Sequence, residues 1–450
     1  MERETLGSRL GFILLSAGCA IGIGNVWKFP YLAGQNGGGA FVLIYLFFLV
    51  ILGVPVMAME FSMGRAARKS PVKMYQALTP GKKVWPVHGI ICMIGNIVLM
   101  MFYTTVAGWM LLYFFRTASG VFEGKDPAAV GEMFNSMKAR PAEMIIAMAI
   151  VVALGFFVNS RGLQGGLERF TKVMMILLLA IMVVLAVNSA FLDGGKEGLA
   201  FFLKPDFSRM KETGLIKVIT AAMNQAFFTL SLGIGSMAIF GSYIGREQSL
   251  FGESVNVAIL DTFVAMVSGL IIFPACFAYD VEPGSGPGLI FITLPNIFNH
   301  MPMGRLWGSL FFVFMSFAAF STVLAVFENI MACVMDLTGW GRKKTGLMCG
   351  ILMFILSLPC LLGFNVLSSI HPLGPDSGIM ELEDYIVSNI LLPAGSLLFV
   401  LYCTMRFGWG WDNFVKEANT GRGLKIHSWM RGYMTFVLPV IVLIILVLGL

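Results

Sequence analysis

The chain has 450 residues, 57% of them hydrophobic and only 12% charged, with a mean hydropathy of +0.83 and a formal net charge of +6. Water-soluble domains carry about 25% charge, so this composition excludes a soluble enzyme or nucleic-acid-binding module and requires a polytopic membrane protein. Seven cysteines are scattered, mostly inside apolar segments and without CxxC spacing, and four histidines lie far apart, so no metal or hydrolytic constellation is visible.

Residues 1–10 form a short charged stub that leads directly into an apolar span, unlike a cleaved signal peptide. Apolar runs of about 20 residues then predict eleven transmembrane helices, near 11–33, 40–63, 87–115, 142–158, 169–191, 216–242, 253–278, 306–335, 346–364, 385–405 and 433–450. Several are long enough to imply tilt or interruption. Between them, 116–141 and 192–215 read as polar outer loops and 407–431 as a basic inner loop. A turn opening 280–300 precedes an apolar run too short to span, which reads as a re-entrant or lid-like outer hairpin. With the N-terminus cytoplasmic, 20 of the 31 lysines and arginines fall on the inner side, so that orientation is expected in a cell inner membrane. Eleven spans would then put the C-terminus outside.

The first and sixth spans carry similar interruptions: Ala20-Ile21-Gly22-Ile23-Gly24-Asn25 and Ser231-Leu232-Gly233-Ile234-Gly235-Ser236. Glycine inside a helix costs roughly 1 kcal/mol relative to alanine. Paired glycines at mid-membrane therefore mark places where a helix opens, and two such places in two halves point to a transporter binding site. The N–H end of an opened helix suits a carboxylate, and the C=O end suits Na⁺ or an ammonium. Neutral oxygens of Asn25, Thr229, Ser231, Ser321 and Thr322 lie near the openings and suit a monovalent cation.

Ionisable residues within spans are costly and default to function. Asp261 lies well inside the seventh span, among apolar neighbours. Glu60 reads equally well as a helix-end group or as site support, and Glu328-Asn329 as a site or as interhelical glue. Lys28 and Asp384 fall at matching outer depth, as Arg3 and Asp336 do at inner depth. Such pairs suit two gates, or are ordinary headgroup-facing charges.

Five stretches carry a resemblance: Gly18–Pro30 (GCAIGIGNVWKFP), Asn36–Phe41 (NGGGAF), Glu60–Arg65 (EFSMGR), Gln225–Gly233 (QAFFTLSLG) and Phe291–Pro295 (FITLP). In them the chain resembles the neurotransmitter:sodium symporter family, whose bacterial members carry amino acids on the leucine-transporter fold. The resemblance implies an all-α membrane protein of two inverted five-helix repeats, 11–191 and 216–405, with helices 1 and 6 broken. An outer loop at 192–215 would join them, followed by a cytoplasmic loop at 406–432 and helix 11 at 433–450. It implies one sodium site from the Ala20 carbonyl, Asn25, Thr229 and Asp261. A second would use the carbonyls of Gly18, Ile21 and Ala318 with the hydroxyls of Ser321 and Thr322. The substrate carboxylate would meet the N–H groups near Ile23 and Gly24 and the Tyr103 hydroxyl. Its ammonium would face the carbonyls of Ala20, Phe228 and Ser231 or Thr229, and its side chain would lie among Leu99, Tyr103, Phe228, Ile234, Thr322 and Val326.

Gly22 stands where relatives that carry monoamines have an aspartate, leaving room for a substrate with its own carboxylate. A neutral hydrophobic or aromatic amino acid is thus the expected partner, besides membrane lipid. Asp261 replaces a usual asparagine, and Ala265 a chloride-binding serine, so no chloride is expected and Tyr45 and Gln225 would be structural. The reading that results is a sodium-coupled importer working by alternating access. An amino-acid receptor on the same scaffold is the competing class, and it would bind ligand without moving it.

Overall fold

The computed structural model describes residues 4–192, 194–279, 288–375 and 377–449. Among these the long elements are all helices. The first helix, α1 (Arg9–Ala20), is followed at a 55° bend by α2 (Gly24–Gln35). Next come α3 (Gly39–Ala67), α4 (Trp85–Ala118), α5 (Pro141–Ser160) and α6 (Leu163–Ala190). A second broken segment consists of α7 (Leu215–Thr229) and α8 (Ser236–Gly241). The last five are α9 (Leu250–Ala278), α10 (Gly304–Thr338), α11 (Arg342–Leu362), α12 (Ile379–Thr404) and α13 (Met430–Gly449).

Nine of these helices are long and apolar enough to cross a membrane, or ten when α1 and α2 count as one span. The eleventh expected span is the α7/α8 pair, whose pieces of 15 and 6 residues fall short individually because the chain opens between them. The short fourth span proves to be a full 20-residue helix, α5.

The stretches read as loops carry short helices. Pro127–Lys138, Gly195–Leu203 and Phe207–Thr213 lie in the two outer loops, and Trp411–Ala418 in the inner one. In the region read as an outer hairpin, residues 280–287 lie outside the described residues. The remainder of that region is helical, with Leu289–Thr293 running into Leu294–His300. Its Phe291 stacks on Phe134 with centroids 5.1 Å apart and meets Tyr113 and Trp109 edge-on at 4.8 and 5.6 Å. The helical end of this region thus buries Phe291 against α4 and the outer-loop helix Pro127–Lys138.

The core gathers around α1, α4, α9 and α10, which bury most of their length. Around the α7/α8 opening, backbone packs directly on backbone. A Cβ added at Gly395 of α12 would overlap the Gly233 carbonyl, and one at Gly233 would overlap the Leu392 carbonyl. Gly395→Ala is therefore expected to lower thermal stability by about 1–3 kcal/mol through overpacking. Gly165→Ala, in a helical turn with nothing within 4 Å, should be neutral or stabilising by up to about 1 kcal/mol. Melting of the two variants in detergent measures the contrast.

Candidate functional site

The two openings look alike in sequence but use glycine for different reasons. At the first, Ile21 leaves the helix in an extended conformation (φ −71°, ψ 98°), and neither Gly22 nor Gly24 has a positive φ. These glycines provide space: a Cβ on Gly22 would overlap the Tyr103 hydroxyl and Thr322 Oγ1, and one on Gly24 the Phe228 ring. At the second opening the backbone itself turns left-handed, at Ser231 (φ 51°), Gly233 (φ 93°) and Gly235 (φ 71°). There glycine removes a Cβ clash that costs other residues about 1–2 kcal/mol, which Ser231 bears.

Side chains from neighbouring helices satisfy the opened backbone. Gly22 N–H donates to Asn25 Oδ1 (3.2 Å), and Ile23 N–H to the Tyr103 hydroxyl (2.9 Å). Gln225 Nε2 donates to the Gly24 carbonyl (3.0 Å), and the Ser231 hydroxyl to the Cys19 carbonyl (3.3 Å). Across the second opening, Gly233 N–H donates to Glu60 Oε1 (2.6 Å), and Asn96 Nδ2 to the Ile234 carbonyl (2.7 Å). Of Glu60's two readings, the one in place is support of the α7/α8 opening. Asn96 carries no signal in the sequence, where an asparagine inside a span shows nothing of the carbonyl it faces.

Two oxygen clusters flank the first opening. In one, the Asp261 carboxylate, fully buried, accepts from Asn25 Nδ2 (2.8 Å) and from the Thr229 hydroxyl (3.1 Å). Among the described residues no lysine or arginine pairs with it. In the other, the Ser321 hydroxyl donates to the carbonyls of Ile21 (3.1 Å) and Ala318 (2.9 Å). Thr322 Oγ1 lies 3.3 Å from the carbonyls of Gly18, Cys19 and Ile21. Both are compact sets of oxygens, one charged and one neutral, of the kind that suits a hard monovalent cation.

Between the openings lies a narrow pocket of about 20 Å³. Ala20, Gly22, Gly24, Leu99, Tyr103, Phe228, Ser231, Ile234 and Thr322 line it, together with two residues that sequence reasoning does not single out, Cys19 and Leu392. Three others lie off its wall. Ile23 lines an outer cavity instead, Thr229 turns to Asp261, and Val326 is buried within α10. Leu392 enters from α12 because the Gly233–Gly395 contact draws the two backbones together; nothing local to its sequence signals this.

The outer cavity, about 360 Å³, shares Tyr103 and Phe228 with the pocket, so those rings form the partition. Lys28 Nζ lies 3.1 Å from both Asp384 oxygens and from Ser388 Oγ, and 4.0 Å from the Phe228 ring centroid. The ion pair and the aromatic partition thus form one closure. Both charged side chains stay partly exposed, so the pair itself contributes little, about 1 kcal/mol or less.

On the opposite face Arg3 lies outside the described residues, and Asp336 accepts from Ser70 N–H (2.7 Å). Among the described residues, further charges gather on this face. Arg342 of α11 grips Glu328 of α10 with two nitrogens (2.6 and 2.9 Å) and reaches Glu4 (3.0 Å) and the Asn159 carbonyl (3.1 Å). The Tyr243 hydroxyl also donates to Glu328 (2.7 Å), and Arg9 pairs with Glu253 (2.8 Å). Ion pairs therefore lie on both sides of the pocket and openings.

Two helices opened at one depth, a buried carboxylate beside the opening and a pocket between them define a secondary transporter. A family model described as the sodium:neurotransmitter symporter family matches residues 3–125 and 128–450. The chain is 34% identical over 442 residues to the uncharacterized sodium-dependent transporter YhdH of Bacillus subtilis (strain 168), covering 97% of this chain and 96% of that one. It is 30% identical over 458 residues to an uncharacterized sodium-dependent transporter of Haemophilus influenzae, covering 99% and 98%. Its fold matches the crystal structure of MhsT in complex with L-phenylalanine at a TM-score of 0.90 and 35% identity, each chain covered in full. The chain belongs to the sodium:neurotransmitter symporter family; it is a multi-pass, sodium-dependent transporter and not an enzyme.

Glu328 is fully buried, so removing Arg342 leaves an uncompensated charge. Arg342→Ala is expected to lower stability by about 3–5 kcal/mol, and adding Glu328→Gln to recover most of that. Melting of the single and double variants in detergent tests the coupling; a double variant no more stable than Arg342→Ala would show that the pair is not the source.

Proposed function

We propose that this protein imports neutral hydrophobic or aromatic amino acids, driven by Na⁺ and independent of chloride. The observation that carries this reading is the buried Asp261 carboxylate, held by Asn25 and Thr229 where the two opened helices meet an apolar-walled pocket. In it, one Na⁺ binds Asp261, Asn25, Thr229 and the Ala20 carbonyl, with the substrate carboxylate completing the shell. A second Na⁺ binds the Gly18, Ile21 and Ala318 carbonyls with Ser321 and Thr322. These hydroxyls hydrogen-bond to the same carbonyls, so an ion needs only their rotation, without a rearranged backbone.

The substrate carboxylate rests on the N–H groups at Ile23 and Gly24 and on Tyr103, in the space left by Gly22. Its ammonium faces the carbonyls at Ala20 and around Phe228 and Ser231. Leu99, Ile234 and Leu392 offer its side chain an apolar wall, and the similar protein MhsT has been crystallised with L-phenylalanine. Because ion and substrate share a shell, each raises the affinity of the other by the same factor. Asp261 supplies a fixed negative charge, and Ala265 offers no hydroxyl for an anion. Residues 11–191 and 216–405 act as the two repeats that move against each other. Lys28–Asp384 forms the outer gate and the Arg342–Glu328 cluster an inner closure on the cytoplasmic side, where the basic loops gather.

Uptake of labelled amino acids into proteoliposomes tests this, with an inward Na⁺ gradient, with K⁺ in place of Na⁺, and with gluconate in place of chloride. Concentrative, Na⁺-dependent, chloride-insensitive uptake of a few hydrophobic amino acids is expected. Asp261→Asn should weaken Na⁺ dependence by about tenfold or more and make uptake respond to chloride. If that variant left both dependences unchanged, the role of Asp261 would fall. Saturable binding with no uptake would favour the receptor reading.

A further inference from the structure

A groove remote from the transport pocket lies between α5 and α11. A Cβ on Gly346 would meet Ser160 and one on Gly350 would meet Phe156, so the helices run antiparallel there. Together they border a groove of about 560 Å³, lined by Ala153, Phe156 and Phe157 on one side and Gly346, Gly350 and Ile351 on the other. The two glycines hollow it, and its rims face outward: Phe157, Leu347 and Ile351 are 54%, 66% and 50% exposed. From Lys343 to Phe354 the groove spans eleven helical steps, about 16 Å at 1.5 Å each. One leaflet of a hydrocarbon core of about 30 Å is about 15 Å deep, so the groove spans a leaflet.

Its charges sit at one end. Lys343 lines the groove there, and the Arg161 guanidinium lies 4.5 Å from the ring of Phe157. Lys344 lies over Trp340 at 4.2 Å, a cation beside an indole as found at headgroup depth. Among the described residues, neither Lys343 nor Arg161 makes an ion pair with an acidic side chain. A channel of one-leaflet length, apolar along its course and cationic at its interfacial end, has the chemistry of a phospholipid with a net negative headgroup.

We propose that the α5/α11 groove binds an anionic phospholipid, one acyl chain along Gly346 and Gly350 and the phosphate beside Lys343 and Arg161. Basic pockets between membrane helices on the side rich in lysine and arginine recognise such headgroups. A zwitterionic lipid fills the same channel without net charge to answer the two cations. A second copy of this chain fits less well, although a glycine pair at four-residue spacing can bring helices close. In a two-fold dimer the cations of both copies lie at the same depth and face their like, an arrangement that opposes association. The site borders the inner closure, since the adjacent Arg342 bonds to both the Asn159 carbonyl of α5 and Glu328. The inference does not depend on which substrate is carried.

Native mass spectrometry of the full chain in detergent, titrated with dioleoyl phosphatidylglycerol or dioleoyl phosphatidylcholine, tests it. One phosphatidylglycerol is expected to be retained about tenfold or more tightly than phosphatidylcholine. Arg161→Gln with Lys343→Gln should erase that preference while leaving phosphatidylcholine retention unchanged, and Gly350→Leu should reduce retention of both. Both cations are exposed, so the charge variant decides the matter even if Gly350→Leu fails to fold. A preference for phosphatidylglycerol that survives the double charge variant would overturn the proposal. So would a Gly350→Leu variant that changes a dimer to a monomer with lipid retention intact, since the groove would then be an interface between copies.

Discussion

Inside a bilayer there is no water to satisfy a backbone N–H or C=O, so every opened helix must find partners within the protein. This chain opens two helices at once, and much of its buried polarity is spent on that need. Tyr103, Gln225, Ser321 and Thr322 reach the first opening from α4, α7 and α10. Glu60 and Asn96 reach the second from α3 and α4. A direct bond from the Ser231 hydroxyl to the Cys19 carbonyl joins the two. The packing obeys the same demand: α12 approaches backbone to backbone at Gly395, and α10 is buried for most of its 35 residues.

What is legible in the sequence is what composition and local spacing encode. The spans, the two glycine-marked openings and the isolated Asp261 all express a local rule about what belongs in a membrane. The illegible part depends on contacts between segments distant in sequence. Gly22-Ile23-Gly24 and Gly233-Ile234-Gly235 share one pattern, yet the first needs space and the second needs left-handed backbone, and only the neighbours distinguish them. Asn96 and Leu392 acquire their places from the chain they face. Glu328 stands out as a buried acid, but its partner Arg342 lies across a turn on another helix, where no periodicity connects them. Matching depth points to Arg3 and Asp336 on the inner face, but it does not connect Arg342, Glu328, Glu4, Arg9 and Glu253, which pair there through contacts between distant segments.

The two closures differ in physical kind. The outer one is a half-exposed ion pair over an aromatic ring, with water at hand to solvate both charges when it parts. Such a pair is cheap to break. The inner one includes a carboxylate with no exposure, held by a guanidinium, a tyrosine hydroxyl and, through that guanidinium, the N-terminal stub. Separating it strands each charge without its partner before water arrives, which is far more costly. In the proposed cycle, the outer side is therefore the easier to open.

That asymmetry gives the pocket's own chemistry its leverage. The groups that satisfy the first opening are mostly hydroxyls and amides, and a hydroxyl can turn from a carbonyl to an ion or a carboxylate without moving its helix. Tyr103 bonds Ile23 N–H while forming part of the partition below the outer cavity, so a ligand that engages it touches backbone and gate together. Asp261 accepts from Asn25 beyond the first opening and from Thr229 at the end of α7, so its carboxylate ties both broken helices. In the proposed mechanism, a cation joining that carboxylate binds both broken segments at once. Its binding energy then acts on the relative position of α2 and α7, the coordinate along which opening must occur.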